Sequence, residues 1–267
     1  MRIVKPDAQA RLSNQTVSRK VSVATLKIVL ENIHKSYGKR EIVKRVNVSV
    51  AQGEIVGLLG PNGAGKTTTF YIATGLEKPS QGTVWLDDVD ITALPIHRRA
   101  HLGIGYLAQE ASIFRHLSVR DNIQLVLEQT SVPRHEWRLR LHNLLQEFRL
   151  EKVAHTSGNQ VSGGERRRTE LARALAAGME GPKFLLLDEP FAGVDPIAVS
   201  EIQKIVAGLR DRYMGILITD HNVRETLAIT DRAYIMRDGQ ILASGSAEEL
   251  YNNPLVRQYY LGDEFQR

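Results

Sequence analysis

Short apolar runs alternate with amphipathic segments along most of the chain, and this alternation predicts a mixed α/β fold. From residue 26 to 50, apolar and polar side chains alternate on both sides of Gly38, which predicts two antiparallel strands that meet there. Later runs at 54–59, 183–188 and 215–219 are almost continuously apolar and predict buried strands. The predicted fold class is therefore α/β with an antiparallel β lobe.

The middle of the chain has a helical pattern that separates these strands. Ser118 and Asp121 have the spacing of a capping box at a helix start, and Pro133 is predicted to begin a second helix. Apolar residues of that second segment recur at helical spacing, which is typical of a face that packs into a core. We therefore predict a helical lobe, at about residues 110–175, inserted in the α/β core.

A glycine-rich loop joins the first buried strand to a predicted helix that begins at Lys66 and continues as far as Thr74. Its spacing, Gly-x4-Gly-Lys-Thr, is that of a P-loop, in which bare backbone N–H groups surround phosphate oxygens. In such a loop Lys66 reaches the β- and γ-phosphates, and the Thr67 hydroxyl binds Mg2+. A glycine-rich turn that binds nothing is the alternative, which the flanking strand and helix disfavour. The predicted nucleotide site comprises Gly60, Pro61, Asn62, Gly63, Ala64, Gly65, Lys66, Thr67 and Thr68.

Two carboxylates, Asp188 and Glu189, stand at the end of the apolar run at 183–188, directly before Pro190. Ligands of open α/β sheets bind beyond the carboxyl ends of the strands, so we expect both acids to face the P-loop. Asp188 suits the Mg2+ shell, and Glu189 suits the base that orients or deprotonates the attacking water. The alternative is an acidic strand end capped by a helix.

Two successive glycines lie in a second motif, Val161-Ser-Gly-Gly-Glu165. Ser162 and Glu165 have capping-box spacing before a helix that is predicted to run through Ala177. A helix cap does not require two successive glycines such as Gly163 and Gly164. Because they have no side chains, the N–H groups at the helix N-terminus are accessible, which makes this end of the helix a second anion site. Because the P-loop already holds one nucleotide, this second phosphate surface suggests the ATP of a partner subunit.

Composition narrows the classes of protein. At 267 residues the chain can form one large α/β domain or a domain with an inserted lobe. It has no cysteine, which excludes disulfides and cysteine-bound metal and suits a reducing cytoplasm. No run approaches the roughly 18 apolar residues of a membrane span, and no signal peptide is apparent, so we expect a protein that is soluble by itself. A net charge of +5 without a long basic tract gives no indication of a nucleic-acid partner.

The order of the motifs resembles that of ABC-type ATPase subunits from Leu26 to the C-terminus. The shared features are Tyr37, the P-loop, Gln109, VSGGE, LLLDEP, AGVD and the His221 of ILITDH. The resemblance implies a P-loop NTPase core of ABC ATPase type over residues 25–262. Residues 1–24 are polar, weakly basic and aperiodic and are predicted to form a mobile extension, and 263–267 are predicted to form a C-terminal tail. The resemblance also implies a head-to-tail homodimer with two ATP molecules, each between the P-loop of one subunit and Ser162–Gly164 of the other.

The resemblance also implies individual roles. Tyr37 would stack on adenine, although it could be an ordinary hairpin aromatic. Gln109 would sense Mg2+ and the attacking water, and His221 would contact the γ-phosphate and hold the geometry around Glu189. Asp195, in the loop after the acids, would cross the dimer interface.

Two mild departures from the family pattern remove no catalytic group: Val161 replaces a leucine, and Ala108 replaces a proline. Longer runs, such as GIGYLAQEASIFRHLSVRDN and DEPFAGVDPIAV, resemble the ATP-binding subunits of lipopolysaccharide export transporters. This similarity implies a motor subunit, peripheral to the cytoplasmic face of the inner membrane, that works with integral membrane subunits. The alternative is the ATPase of a branched-chain amino-acid importer. A non-transport ABC ATPase is disfavoured, because long heptads and a second P-loop are absent from the sequence.

A docking surface for the membrane subunits is predicted around Phe114 and Arg115. Phe114 lies in the loop after Gln109, next to the apolar Ile113. An apolar anchor beside an arginine has the composition of a binding hot spot. The alternative is that Phe114 fills the core of the helical lobe.

Overall fold

The computed structural model describes residues 25–178 and 180–262, so the extension predicted at 1–24 and the tail predicted at 263–267 lie outside the described residues. The strands are β1 (Lys27–Tyr37), β2 (Arg40–Ala51), β3 (Ile55–Leu59), β4 (Gln81–Leu86), β5 (Val89–Asp90), β6 (Ile104–Leu107), β7 (Phe184–Asp188), β8 (Gly215–Thr219), β9 (Arg232–Arg237) and β10 (Gln240–Gly245). The helices are α1 (Lys66–Thr74), α2 (Ile96–His101), α3 (Val119–Gln129), α4 (Trp137–Glu147), α5 (Gly163–Ala176), α6 (Pro196–Asp211), α7 (Val223–Leu227), α8 (Ala247–Asn252) and α9 (Pro254–Val256). A 3-10 turn covers Glu151–Val153, and a π-helical turn covers Arg257–Leu261.

The strands form two sheets. A four-stranded antiparallel sheet has the order β2-β1-β4-β5, and the predicted turn at Gly38 joins β1 to β2. A six-stranded sheet has the order β10-β9-β3-β8-β7-β6, in which β9 to β6 are parallel and β10 is antiparallel. The carboxyl ends of β3, β8, β7 and β6 therefore lie side by side at one edge, where the sequence analysis placed the site.

The large sheet is buried on both faces, which explains its continuously apolar strands. On β7, Leu185 and Leu187 belong to a cluster shared with α3, α4, α5 and α6. Phe184 and Leu186, on the opposite face, belong to a cluster shared with α1 and the antiparallel sheet. Helices α3, α4 and α5 follow β6 and precede β7, so the helical segment packs on one face of the sheet whose strands carry the site.

Most predicted helix boundaries are confirmed. Helix α1 covers the predicted residues, and the Ser118 hydroxyl accepts the N–H of Asp121 at the start of α3. The prediction that Pro133 begins the second helix is wrong, because α4 begins at Trp137. Residues 133–136 form a turn instead, in which the N–H of Glu136 donates to the Pro133 carbonyl at 2.9 Å. The indole of Trp137 donates back to the Val132 carbonyl at 2.8 Å and stabilises this turn.

Arg99 is completely buried and supports the end of the helix that follows the P-loop. Its guanidinium donates to the carbonyls of Ile72 and Ala73, in the last turn of α1, and to that of Leu94. A cation at a helix C-terminus satisfies carbonyls that have no partner within the helix. A Cβ at Gly75 would lie 2.7 Å from Arg99 Nε, so this glycine leaves the space that the guanidinium occupies.

Candidate functional site

The P-loop follows β3 and turns sharply between two neighbouring segments. Gly60 has φ +148°, and a Cβ on it would lie 2.1 Å from the Met236 carbonyl oxygen of β9. Gly65 has φ +96°, and a Cβ there would lie 2.9 Å from the Ile42 carbonyl oxygen of β2. Only glycine satisfies both the conformation and the close approach. At the mouth of the loop, Asn62, Gly63 and Thr67 are exposed.

Lys66 is buried inside the loop, and only 6% of its surface is exposed. Its ammonium donates to the carbonyls of Gly60 at 2.7 Å and Pro61 at 3.0 Å. Burial lowers the pKa of Lys66, and the negative charge of nearby Glu189 opposes this shift. The loop therefore positions the Lys66 ammonium inside it, and phosphate oxygens could replace the two carbonyls as its hydrogen-bond acceptors.

Asp188 ends β7 as a buried carboxylate with an unsatisfied oxygen. Its Oδ2 has no hydrogen-bond partner among residues 25–178 and 180–262. Burial, with the adjacent Glu189 charge, raises the pKa of Asp188 to about 6, and the Arg167 guanidinium opposes the shift. A buried carboxylate oxygen without a donor is a fit ligand for a divalent cation.

Glu189 and His221 form a pair at the same edge. The Nε2 atom of His221 lies 2.8 Å from Oε1 of Glu189. Glu189 has φ +47°, and its N–H donates to the Thr219 carbonyl at 2.7 Å, so the turn after β7 is fixed to the end of β8. The imidazole is therefore placed to orient the carboxylate, or to share a proton with it.

Asp220 was missed in the sequence analysis and supports this pair from behind. It is 2% exposed and accepts the N–H of Phe191 at 3.0 Å and that of Asn222 at 2.8 Å. Its two oxygens thus connect the loop that follows Glu189 to the loop that carries His221. The ILITDH run contains this residue, but nothing in its spacing indicates the contact with Phe191.

Gln109 lies two residues beyond the end of β6 and is exposed. Leu107 pairs in register with Leu187, so the Gln109 backbone emerges beside Asp188. The role of Gln109 at the Mg2+ and the attacking water stays a prediction.

Arg167, on α5, is the second residue that the sequence analysis missed. It is 5% exposed, and its guanidinium donates to the carbonyls of Ala108, Asp188 and Glu189 at 2.7 to 2.8 Å. It also pairs with buried Glu170 at 3.2 Å. One arginine therefore fixes the ends of β6 and β7, the two strands that carry Gln109 and the acids.

The same helix also holds the loop that contains Phe114. Glu170 accepts the N–H groups of Ser112 at 2.7 Å and Ile113 at 3.1 Å. The Arg173 guanidinium lies 4.5 Å from the centre of the Phe114 ring. Ile113 is buried, whereas Phe114 is 45% exposed, so the apolar residue that fills the core is Ile113.

Ser162, Gly163 and Gly164 lie at the start of α5. The predicted capping box is confirmed, with Ser162 N donating to Glu165 at 2.8 Å and Glu165 N donating to the Ser162 hydroxyl at 3.3 Å. A Cβ on Gly164 would lie 2.6 Å from Cβ of Ala198, so this glycine also has a packing role. Ser162 is exposed.

Asp195 caps the neighbouring helix α6. Its carboxylate accepts the N–H groups of Ile197 and Ala198, each at 3.0 Å. The segment at 193–198 lies against the two glycines that start α5, since a Cβ on Gly163 would lie 3.1 Å from the Gly193 carbonyl oxygen. Asp195 and the glycine pair therefore belong to neighbouring parts of the surface.

Tyr37 is half exposed at the end of β1. Its own hydroxyl donates to Oε2 of Glu77 at 3.2 Å. Burial and the Glu77 charge raise the pKa of Tyr37. The half-exposed ring therefore lies beside the end of the helix that follows the phosphate loop.

The sequence profile described as ABC transporter matches residues 43–192. The chain belongs to the ABC transporter family. Its sequence is 55% identical to the lipopolysaccharide export system ATP-binding protein LptB of Acidithiobacillus ferridurans, over 88% of this chain and 97% of that protein. As a member of this family it is an ATP-binding cassette, the ATPase component of a transporter.

Two solved structures of ABC transporter cassettes have the same fold. A cassette in its ADP conformation matches with a TM-score of 0.78 and 26% identity, over 89% of this chain and 99% of that one. A bacterial cassette solved as a dimer matches with a TM-score of 0.72 and 27% identity, over 82% of this chain and 98% of that one. Among the residues described here, none of the helices has the length and apolar character to span a membrane.

Proposed function

We propose that this protein is the ATP-hydrolysing motor subunit of a transporter that extracts lipopolysaccharide from the inner membrane for export to the outer membrane. The convergence of Lys66, Asp188 and the Glu189–His221 pair supports hydrolysis. Similarity to a lipopolysaccharide export ATPase over most of both chains supports lipopolysaccharide as the transported substrate. The motor would lie on the cytoplasmic face of the inner membrane, bound to the membrane subunits.

Purification of the tagged chain from native membranes tests the cargo. Mass spectrometry of the copurified subunits and lipids is expected to identify lipopolysaccharide with the membrane subunits of its exporter. Recovery of branched-chain amino-acid importer subunits instead would contradict lipopolysaccharide as the transported substrate but would not contradict the proposed ATP hydrolysis.

The P-loop residues are proposed to bind the ATP phosphates, with Lys66 exchanging its two carbonyl partners for phosphate oxygens. We assign Mg2+ binding to Asp188, Thr67 and Gln109, since a buried Asp188 oxygen has no hydrogen-bond partner in the described part of the chain and the other two residues are exposed at the same edge. The ion would neutralise phosphate charge during transfer. Glu189 is the proposed base, and His221 holds its carboxylate and contacts the γ-phosphate. Tyr37 is the proposed platform for adenine.

The proposed active form is a homodimer in which Ser162, Gly163 and Gly164 of one subunit contact the ATP bound to the other. Exposure of Ser162 at the start of α5 supports this arrangement, because helix N–H groups there are available to phosphate. Asp195 lies beside this surface and is proposed to cross the interface.

A mixture of two inactive variants tests the shared sites. Lys66→Ala removes the phosphate-binding cation, and Ser162→Arg blocks the partner surface. Each site combines the P-loop of one subunit with Ser162 of the other, so in a mixed dimer both substitutions fall in the same site and the other site keeps Lys66 and Ser162. ATP-dependent dimerisation should therefore partly recover. Each variant alone is the control. Failure to recover dimerisation or hydrolysis, with heterodimers shown to form, would contradict the shared sites.

Membrane subunits are proposed to dock at Phe114 and Arg115. Arg173, which stacks on Phe114, also lines a groove of about 620 Å³ between α2, β6 and α5. An exposed aromatic that contacts a residue lining such a groove suits the apolar face of a helix from a membrane subunit. Because α5 also carries Arg167, the docking loop and the strand-end acids share one support.

Phe114→Ala is expected to abolish copurification with the membrane subunits and to leave ATP binding and melting temperature nearly unchanged. The half-exposed ring contributes little to the core, whereas truncating a buried interface aromatic costs about 2 to 4 kcal/mol of binding. Affinity copurification and thermal melting measure the two effects. Leu139→Ala, at an exposed apolar residue of α4, is the matched control. A large loss of thermal stability with assembly retained would show that Phe114 is a core residue.

A further inference from the structure

A lysine and a glutamate with no role in the site described so far hold the Tyr37 ring. The side chain of Lys35 is 12% exposed, and its ammonium lies 5.0 Å from the centre of the ring. The same ammonium donates to Oε1 of Glu77 at 2.5 Å and to the Lys78 carbonyl at 2.7 Å. The other Glu77 oxygen accepts the Tyr37 hydroxyl. The three side chains therefore form a closed set of contacts.

This set connects the antiparallel sheet to the helix that follows the P-loop. Lys35 and Tyr37 lie on β1, whereas Glu77 lies just beyond α1, where its N–H donates to the Tyr71 carbonyl at 3.1 Å. The next residues of this loop also bind β1, since Ser80 N donates to the His34 carbonyl at 2.7 Å. The position of the ring is therefore fixed relative to the helix that begins at Lys66.

The two faces of the ring differ. The Lys35 ammonium stands over one face, and 51% of the surface of Tyr37 is exposed, which leaves room for a base on the opposite face. A cation draws the π electrons of an aromatic ring toward itself, which makes the far face less negative. A less negative face stacks better with an electron-rich purine. A ring already held in place also loses less side-chain freedom when a base binds.

We propose that Lys35 and Glu77 are positioning residues for the purine base: they hold Tyr37 in its stacking orientation, with the cation on the face opposite the base. This proposal rests on the proposed role of Tyr37 as the adenine platform. It adds two residues that set the strength of base recognition without touching the nucleotide.

Paired affinity measurements isolate the contribution of the base. Mg-ATP and inorganic tripolyphosphate both engage the P-loop, but only ATP carries a base, so calorimetry with both ligands separates the two regions of the site. In the full chain, Lys35→Met keeps the apolar stem and removes the cation. We expect it to weaken ATP binding about three- to tenfold and to leave tripolyphosphate binding unchanged.

Two further variants are controls, and a third is a second test. Lys35→Arg keeps a cation over the ring and is expected to retain ATP affinity. Lys78→Met removes the same charge from the adjacent, exposed position of the loop, whose contact with Lys35 is through the backbone, and is expected to change neither affinity. Glu77→Gln, a nearly isosteric change, releases the ammonium and is expected to weaken ATP alone. Melting curves check that each variant is folded.

Each remaining outcome overturns the proposal. Equal weakening of both ligands by Lys35→Met would assign the lysine to the phosphate region, and no change in either ligand would remove it from recognition. Tyr37→Ala distinguishes a failure of the platform itself. If this variant binds ATP as tightly as the wild type, both the adenine platform and the positioning pair are wrong. If it weakens ATP but Lys35→Met and Glu77→Gln do not, only the positioning pair is wrong.

Discussion

Glu189→Gln is expected to lower ATP hydrolysis by about 10^2 to 10^4-fold and to leave Mg-ATP binding near the wild-type level. The amide keeps the size of the side chain and an oxygen that can accept a hydrogen bond from His221, but it cannot take a proton from water. Lys66 and Asp188 are untouched, so phosphate binding should persist. Phosphate release measures turnover, and sizing chromatography with Mg-ATP is expected to detect an accumulated ATP-bound dimer.

Glu151→Gln is the matched control, since it makes the same change at an exposed residue of the 3-10 turn. We expect it to retain wild-type turnover. If Glu189→Gln also retains wild-type turnover, Glu189 is not the base, and the short contact with His221 has a structural role only.

Arg167→Met is expected to lower the free energy of unfolding by about 3 to 5 kcal/mol, because it breaks a buried ion pair. Glu170 would lose its cation, and the carbonyls of Ala108, Asp188 and Glu189 would lose a shared donor. Hydrolysis should also fall, since the ends of β6 and β7 would no longer have a common support. Urea denaturation and phosphate release measure these two effects.

Arg166→Met is the control on the same turn of α5, where the side chain is only half buried. A surface change of this kind is expected to alter the free energy of unfolding by less than about 0.5 kcal/mol. If the two variants unfold at the same urea concentration, the buried hydrogen bonds of Arg167 do not contribute to stability.

Helix α5 gives these results a common structural basis. It begins at Ser162–Gly164, fixes the strand-end acids through Arg167, and holds the Phe114 loop through Glu170 and Arg173. A displacement of this helix would therefore reach the glycines of the proposed dimer contact, the acids and the proposed docking loop together. A motor subunit needs such a connection if closure of the dimer around ATP is to move the membrane subunits.

The sequence by itself determined the elements that depend only on neighbouring residues, such as loops, helix caps and apolar strands. The P-loop glycines, the Ser162 capping box and the apolar strands before Asp188 and His221 were predicted at their observed positions, because spacing and backbone conformation are encoded within a few residues. The start of α4 was predicted wrongly, because proline at the first helical position is a preference and the Trp137 contact with Val132 favoured a turn.

Tertiary structure alone decided which side chains support the site. In the sequence, Arg167 belongs to a run of three arginines, which is typical of a solvated helix face, and Arg99 lies in a polar segment of similar appearance. Both are buried, because each finds carbonyls from strands or helix ends that are distant in sequence. Asp220 and Lys35 likewise gain their partners by long-range packing. A polar side chain acquires its function from the donors or acceptors that the fold brings to it, and one chain segment does not specify them.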